Sequence, residues 1–401
     1  MRPTRPLASA GAGALALALL LAGCSTGGAG DPSTAAGVAR VGVTLTGDDS
    51  GDRCALDTTT AAAGPVTFTV RNESSTAITE VELLSDQRII AEKENLAPGL
   101  KPSSFTLTLG GGMYQLYCPG AEKELQDFTV TGKASAGPSG SVASVLRAGT
   151  DEYAGYVAGV LSDMTTAVGT LRTAVDSGDV DAAKRAYGLA RPFYEKIESD
   201  VEGFLLPATD PTDNAGNLDY LVDMRASNLD PRVGWHGFHA IERDLWTTGI
   251  TDQTKAYAAE LQTNVGRLAD LAKGLSYKPE DLANGAAGLL DEVQANKITG
   301  EEELYSRTDL SDIAANVEGA QQAFAALQPG LKKINPTLTA QVAARFAKVD
   351  AALDAYRDPG QVGGYRPYTD ELRSSDAAAL SRLIQSLQTP LSRIAEKVAT
   401  A

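Results

Sequence analysis

SVASVLRAGTDEYAGYVAGVLSDMTTAVGTL, residues 141–171, is the stretch whose reading decides the fold. Its apolar members Val142, Val145, Leu146, Tyr153, Tyr156, Val157, Val160, Leu161, Met164, Val168 and Leu171 recur every three or four positions, which places them on one stripe of a long helix. The same period returns at about 180–204, 233–246, 252–275, 279–295, 309–327, 336–356 and 375–398. Long helices in succession with no strand between them predict an all-α domain of stacked helical bundles over 141–401. Asp230-Pro231 offers a cap and a first-turn proline for the helix expected over 233–246.

Upstream of residue 133 the period is two. Val41, Val43 and Leu45, then Val66, Phe68 and Val70, Phe105, Leu107 and Leu109, Tyr114, Leu116 and Cys118, and Phe128 and Val130 alternate with polar neighbours. Turn chemistry falls between these runs, at Ala97-Pro98-Gly99 and Gly110-Gly111-Gly112. The pattern predicts a small β-sandwich over 38–132. Residues 133–140, with Gly137-Pro138-Ser139-Gly140, read as a linker. The fold class expected is therefore multidomain β + α, a sandwich followed by helical bundles.

The amino terminus carries Arg2 and Arg5, an apolar run over 7–22 and Leu21-Ala22-Gly23-Cys24. That order predicts a secretion signal over 1–23 ending in a lipobox, with Cys24 lipid-modified and 24–37, rich in Ser, Thr, Gly and Ala, as a flexible tether. Later stretches fall short of the roughly 20 apolar residues of a membrane span. The expected location is extracytoplasmic, in the cell envelope, held to the membrane by lipid.

With 35 Lys and Arg against 51 Asp and Glu, the 401-residue chain has a formal net charge of -16. Such a charge argues against a nucleic-acid partner and concentrates cations near the surface. The two histidines of the chain both lie in Gly234-Trp235-His236-Gly237-Phe238-His239-Ala240-Ile241-Glu242. Three residues apart on a helix, His239 and Glu242 share a face and can aim at one ion. Imidazole nitrogen with carboxylate oxygen suits iron, zinc or manganese. The flanking Trp235, Phe238, Ile241, Leu245 and Trp246 indicate burial, and a buried ionisable pair needs a partner or a metal. Glu195 and Glu198 are candidates for further carboxylates, the alternative being a solvated helix face.

The β region has no histidine, which excludes a blue-copper centre built on imidazoles. Cys118 shares strand parity with Tyr114 and Leu116 and points inward, while Cys54 follows the first strand. The two can form a structural disulfide, a thiolate metal site helped by Glu82, or stay as free thiols. A zinc peptidase of the His-Glu-x-x-His kind needs histidines four apart with a general base between them. His236 and His239 are three apart, with Gly237 and Phe238 between, so the spacing is wrong for it.

Several stretches together resemble the EfeO-type iron-uptake lipoproteins, over nearly the whole mature chain. They are Val66-Thr67-Phe68-Thr69-Val70, residues 92–99, Tyr114-Gln115-Leu116-Tyr117-Cys118-Pro119-Gly120, Gly237-Phe238-His239-Ala240-Ile241-Glu242 as the Gly-x-His-x-x-Glu signature, residues 296–303 and residues 305–310. The resemblance implies a cupredoxin-like domain followed by an imelysin-like, peptidase-family helical domain. It implies His239 and Glu242 as metal ligands, with Glu198, Asp223 and Asp309 beside them, and a second metal, copper or iron, at Cys54, Cys118 and Glu82. The function implied is capture of ferrous or ferric iron and delivery to a membrane iron permease, with a haem peroxidase as a further partner of the system. A metallopeptidase, or a redox protein in which copper assists iron oxidation, is the alternative.

Overall fold

Alternation of apolar and polar residues produces two sheets in the amino-terminal part of the computed structural model, which describes residues 37–85, 88–133, 140–210 and 212–401. The strands are β1 (Ala39–Asp48), β2 (Gly51–Leu56), β3 (Thr60–Ala62), β4 (Gly64–Asn72), β5 (Val81–Ser85), β6 (Arg88–Lys93), β7 (Ser103–Leu109), β8 (Gly112–Tyr117) and β9 (Leu125–Thr131). One sheet has the order β2-β1-β4-β7 and the other β3-β9-β8-β5-β6. β1 runs parallel to β4 and β3 parallel to β9, while the remaining pairs are antiparallel. Val41, Val43, Leu45, Phe68 and Val70 of the first sheet share a core with Leu83, Leu116, Phe128 and Val130 of the second. Phe68 joins the layers, stacked on Phe105 at 5.1 Å and edge-on to Phe128 at 5.2 Å.

The two-residue period locates β1, β4, β7, β8 and β9. It passes over β2, β3, β5 and β6, because these strands carry charge or small residues where the pattern needs alternation. In the β5–β6 hairpin, Glu82 faces Glu92 in register, so one face of the hairpin is acidic rather than apolar.

Eleven α-helices follow among the described residues: α1 (Ser141–Ser177), α2 (Val180–Glu195), α3 (Glu198–Val201), α4 (Leu218–Asp223), α5 (Gly237–Thr247), α6 (Asp252–Ala272), α7 (Pro279–Glu292), α8 (Asp309–Ile334), α9 (Pro336–Asp354), α10 (Asp370–Leu391) and α11 (Ile394–Ala399). Every expected long helix is present, with three changes that matter. The helix expected over 180–204 breaks after Glu195. The Asn316 side-chain amide donates to the Glu195 carbonyl oxygen at 2.9 Å, taking the acceptor that a continuing helix would give to residue 199. The helix expected from Asp230-Pro231 instead starts at Gly237, with His236 extended as its N-cap. Gly234 at φ +93° and Gly237 at φ +66° keep the intervening chain out of the right-handed helical region. Finally, α7 runs into a π-helical turn, Val293–Lys297, a widening that commonly marks a functional site.

The sandwich and the helices pack on one another. Strand β7 pairs with β4 on one side only, and α7 covers its other edge. The Asn284 amide donates to the Thr106 carbonyl oxygen at 2.7 Å, and Glu280 accepts from the Thr108 amide at 3.1 Å. Lys93 of β6 forms a buried ion pair with Asp291 of α7. Among the described residues, no helix is long and apolar enough to cross a membrane. The signal at 1–23, nearly all of the 24–37 tether and most of the 133–140 linker lie outside the described residues.

Candidate metal centre

One glycine sets the geometry of the centre. A Cβ at Gly237 would lie 2.0 Å from the Val222 carbonyl oxygen, so only glycine lets the start of α5 cross the end of α4 this closely. The crossing places Asp223, the last residue of α4, beside His239 in the first turn of α5. His239 is 1 % exposed, and its Nδ1 lies 3.1 Å from Glu242 Oε2. Its Nε2 lies 3.6 Å from both Asp223 Oδ1 and Glu302 Oε1, and it has no hydrogen-bond partner. Glu303 Oε1 is 3.9 Å from Nδ1. Two donor sets result, Asp223, His239 and Glu302 on one side of the ring and His239, Glu242 and Glu303 on the other, each with ligand atoms within 4.8 Å of one another.

The loop before α8 is folded around these carboxylates. Glu242 Oε1 accepts the Tyr305 and Ser306 amides at 2.8 and 2.7 Å. Glu303 accepts from Tyr187 at 2.7 Å and from Thr308 at 2.8 Å, and Asp309 Oδ1 accepts the Glu303 amide at 3.3 Å. Asp309 thus braces the loop that carries Glu303. Its Oδ2 is buried and has no hydrogen-bond partner.

Two buried cations sit within the same cluster. Arg191 reaches Glu195 at 2.5 Å, Asp223 at 2.7 Å, Glu302 at 2.8 Å and Glu303 at 3.3 Å. Lys297, on the π-helical turn, reaches Glu195 at 3.1 Å, Glu302 at 3.5 Å and both Glu198 and Glu292 at 3.8 Å. Glu195 is therefore neutralised by both cations and lies outside the two donor sets around His239. Glu198 instead forms a third acidic group with Asp219 and Asp223.

Titration follows from this crowding. Burial opposes the charge on His239, yet the hydrogen bond to Glu242 and the nearby carboxylates of Glu302 and Asp223 carry its pKa up to about 10. Burial pushes Asp223 up to about 8 against the pull of Arg191. Burial also opposes ionisation of Glu302, but Lys297, Arg225, the neighbouring His239 ring and Arg191 hold it well below the usual carboxylate range. Glu303 is lowered as well, His239 and Arg191 outweighing burial. The cluster combines ionised carboxylates with two proton-bearing ligands and a ring nitrogen that no protein group satisfies. A cation with mixed nitrogen and oxygen preference fits that donor chemistry.

Of the residues expected from the sequence, the structure brings together His239, Glu242 and Asp223. It adds Glu302, Glu303, Arg191 and Lys297, which the helix-face argument did not reach. The signal for the two glutamates was the Glu301-Glu302-Glu303 run within the 296–303 stretch, which sits on a loop and so carries no period. His236 turns away to Glu260 at 2.9 Å. In the sandwich, Cys54 and Cys118 are joined as a disulfide. The sulfurs are then not thiolates, and neither cysteine belongs to any of the candidate ligand groups among the described residues. Glu82 lies in register between Glu92 of β6 and Tyr117 of β8.

Residues 149–394 match the family model described as imelysin, Peptidase M75. The chain is 34% identical over 366 residues to the iron uptake system component EfeO of Escherichia coli K12, covering 90% of this chain and 92% of the relative. The protein of the same name from Shigella flexneri matches with the same identity and coverage.

Proposed function

The chain belongs to the imelysin family, and from that premise we propose that it captures iron outside the cell membrane and delivers it to an iron permease, with the ion held at His239. The observation that carries this reading is the unsatisfied Nε2 of a fully buried histidine, facing Asp223 and Glu302 at 3.6 Å each. A buried ring nitrogen without a partner costs about 1–3 kcal/mol, and a cation at that place removes the cost. Iron here is cargo: Asp223, His239 and Glu302 would bind it, while Glu242 and Glu303 fix the ring from the other side. The names of the relatives, which the chain matches over 92% of their length, support iron as the ion and an iron uptake system as the setting.

The remaining parts of the reading follow the sequence. Residues 1–23 are a lipoprotein signal, Cys24 carries the lipid that holds the protein to the membrane, and 24–37 is the tether. The sandwich over 38–132 is cupredoxin-like in architecture and is linked through 133–140 to the metal-binding helices of 141–401. A haem peroxidase is a natural partner for setting the oxidation state of the cargo.

A peptidase finds less support. Its zinc chemistry needs a second imidazole or an equivalent ligand arrangement with a free general base. His236 is engaged with Glu260, and Glu242 is engaged with two backbone amides and His239. The test is calorimetric titration of ferrous iron, under nitrogen, into the protein and its His239→Ala variant. Affinity is expected to fall about 100-fold or more, in line with loss of a ligand rather than of an outer partner. Unchanged iron binding in the variant overturns the assignment.

A further inference from the structure

The donor groups of the His239 centre are closed off from solvent. Asp223, His239, Glu242, Glu302 and Glu303 are between 0 and 3% exposed, so an ion that reaches them must pass something that moves. On one side the cluster comes close to an open space. A cavity of about 260 Å³ lies between the sandwich and the helices, and Glu198 and Glu292 line it. Both carboxylates lie 3.8 Å from Lys297, which also contacts Glu302 at 3.5 Å. Between Glu292 and Glu302 stands Arg225, two residues past the end of α4. Its Nη1 lies 2.5 Å from Glu292 Oε1 and 3.3 Å from Glu302 Oε2, while the other oxygen of Glu302 faces His239 Nε2 at 3.6 Å. One nitrogen thus joins a carboxylate of the cavity to a carboxylate of the centre. The Arg225 side chain is 14% exposed and that of Glu302 0%, which puts the guanidinium at the boundary.

The side chain is held loosely and its backbone firmly. Both contacts come from Nη1, and the buried Nε has no hydrogen-bond partner, so the two-pronged grip that a guanidinium can make on a carboxylate is missing. The Arg225 amide donates to Asn228 Oδ1 at 2.7 Å, and the Ser227 hydroxyl donates to Glu301 Oε1 at 3.0 Å, which ties this turn to the loop carrying Glu302 and Glu303. Burial opposes the charge on Arg225, but Glu292, Glu302 and Glu94 hold its pKa well above the usual arginine value. The residue therefore stays a cation and can leave the path only by moving. In place, it repels an approaching cation. Swung off Glu302, it leaves that carboxylate and Glu292 free to pass an ion inward or outward.

We propose that Arg225 is the gate of the His239 centre: its guanidinium, bridging Glu292 and Glu302, closes the way from the cavity and swings off Glu302 to let the ion in and out. The proposal rests on the reading of His239 as the ion site, and adds to it the residue that sets the rate of exchange. Arg225 is a positioning residue of that exchange. It touches the carboxylate that would hold the ion, and its removal changes how fast the ion passes and not how tightly it is held.

The probe is ferrous iron alone, mixed under nitrogen with the full chain. Association is followed by stopped-flow quenching of tryptophan fluorescence, Trp235 lying four residues before His239, and dissociation by the colour formed with excess ferrozine. Arg225→Ala is expected to speed both association and dissociation about tenfold or more, with Kd kept within about threefold of the wild type. Loss of a positive charge without a gate would do something else: association would quicken and dissociation would slow, so Kd would tighten. That result overturns the proposal, and so do two unchanged rates. Because a single nitrogen makes both contacts, the ammonium of Arg225→Lys can replace it, and both rates should return to within about threefold of the wild type. A lysine variant as fast as the alanine one also overturns the gate. Should Arg225→Ala fail to fold, Asn228→Ala frees the same turn from an exposed position without changing charge, and should speed both rates about threefold or more. Unchanged rates in that variant refute the gate. A wild-type chain that takes up no ferrous iron refutes the ion reading of His239 and the gate with it, whereas uptake at rates that Arg225→Ala leaves unmoved refutes the gate alone.

Discussion

Cation binding at the His239 centre should expel protons, because two of its candidate ligands hold them. Without the ion, His239 is held up to about 10 and Asp223 up to about 8, while Glu302 and Glu303 are held down as carboxylates. At pH 7 the first two therefore carry protons, and both must lose them to coordinate an ion. The expected release is about two protons per ion at pH 7, falling to about one between pH 8 and 10. Affinity should rise about 100-fold per pH unit below pH 8 and about tenfold per unit above it. The assay is titration calorimetry with ferrous iron under nitrogen, in buffers of different ionisation heat, where the slope of observed heat against buffer heat is the proton count. Asp223→Asn should lower that count by about one. A slope near zero in the wild type would refute the reasoning, because it would mean that the ion binds without touching either proton-bearing group. Folding of the ion-free protein carries the same signature. Both groups have folded pKa values above their unfolded ones, so the stability they add is complete at low pH and is lost as pH rises, through about 8 for Asp223 and through about 10 for His239. The rise in melting temperature on adding the ion should accordingly grow with pH.

Two further outcomes follow from the packing. Gly237→Ala places a Cβ 2.0 Å from the Val222 carbonyl oxygen at a residue with φ +66°, so it should cost more than about 1 kcal/mol in denaturant unfolding and weaken iron about tenfold or more, with Asp223 pushed from His239. Replacing Cys54 and Cys118 by serine opens a loop with a sequence separation of 64, and should cost about 4 kcal/mol in chemical unfolding while leaving iron binding at His239 unchanged.

How much of this was legible in the sequence depends on the physical signal each element leaves. The long helices and the core strands announce themselves by a stripe or an alternation, because burial of one face is what stabilises them. His239 and Glu242 were legible for the same reason, a charged pair three residues apart in an apolar segment. Glu302 and Glu303 were not, since a loop residue has no period and is placed by hydrogen bonds to partners far away in sequence. The start of α5 was misplaced because Asp230-Pro231 is a good local cap, and the close approach of Gly237 to Val222 is a tertiary fact. Asp230 spends its carboxylate on the Arg232 amide at 2.8 Å and on the Arg232 guanidinium, closing a turn in place of a helix. The acidic hairpin was hidden for the opposite reason to the helices: its face is turned inward and yet is charged, so the usual link between burial and apolarity fails there.

If the centre carries iron as proposed, Arg191 and Lys297 let it both take and give up the ion. A cage of Glu195, Glu198, Asp223, Glu302 and Glu303 without internal cations would carry too much buried negative charge to fold alone, and would hold a multivalent ion too tightly to pass it on. The two fixed cations let the cage form first. They also compete: Arg191 holds Asp223 and Glu302, the same two carboxylates that face His239 Nε2. An arriving ion must share those oxygens with a guanidinium and displace protons from His239 and Asp223, so its net affinity is the difference between large opposing contributions. Any change that returns a proton to His239 or draws Arg191 back onto Asp223 tips the balance toward release. A carrier needs an equilibrium of that kind, and the arrangement of one imidazole among carboxylates that are already partly neutralised supplies it.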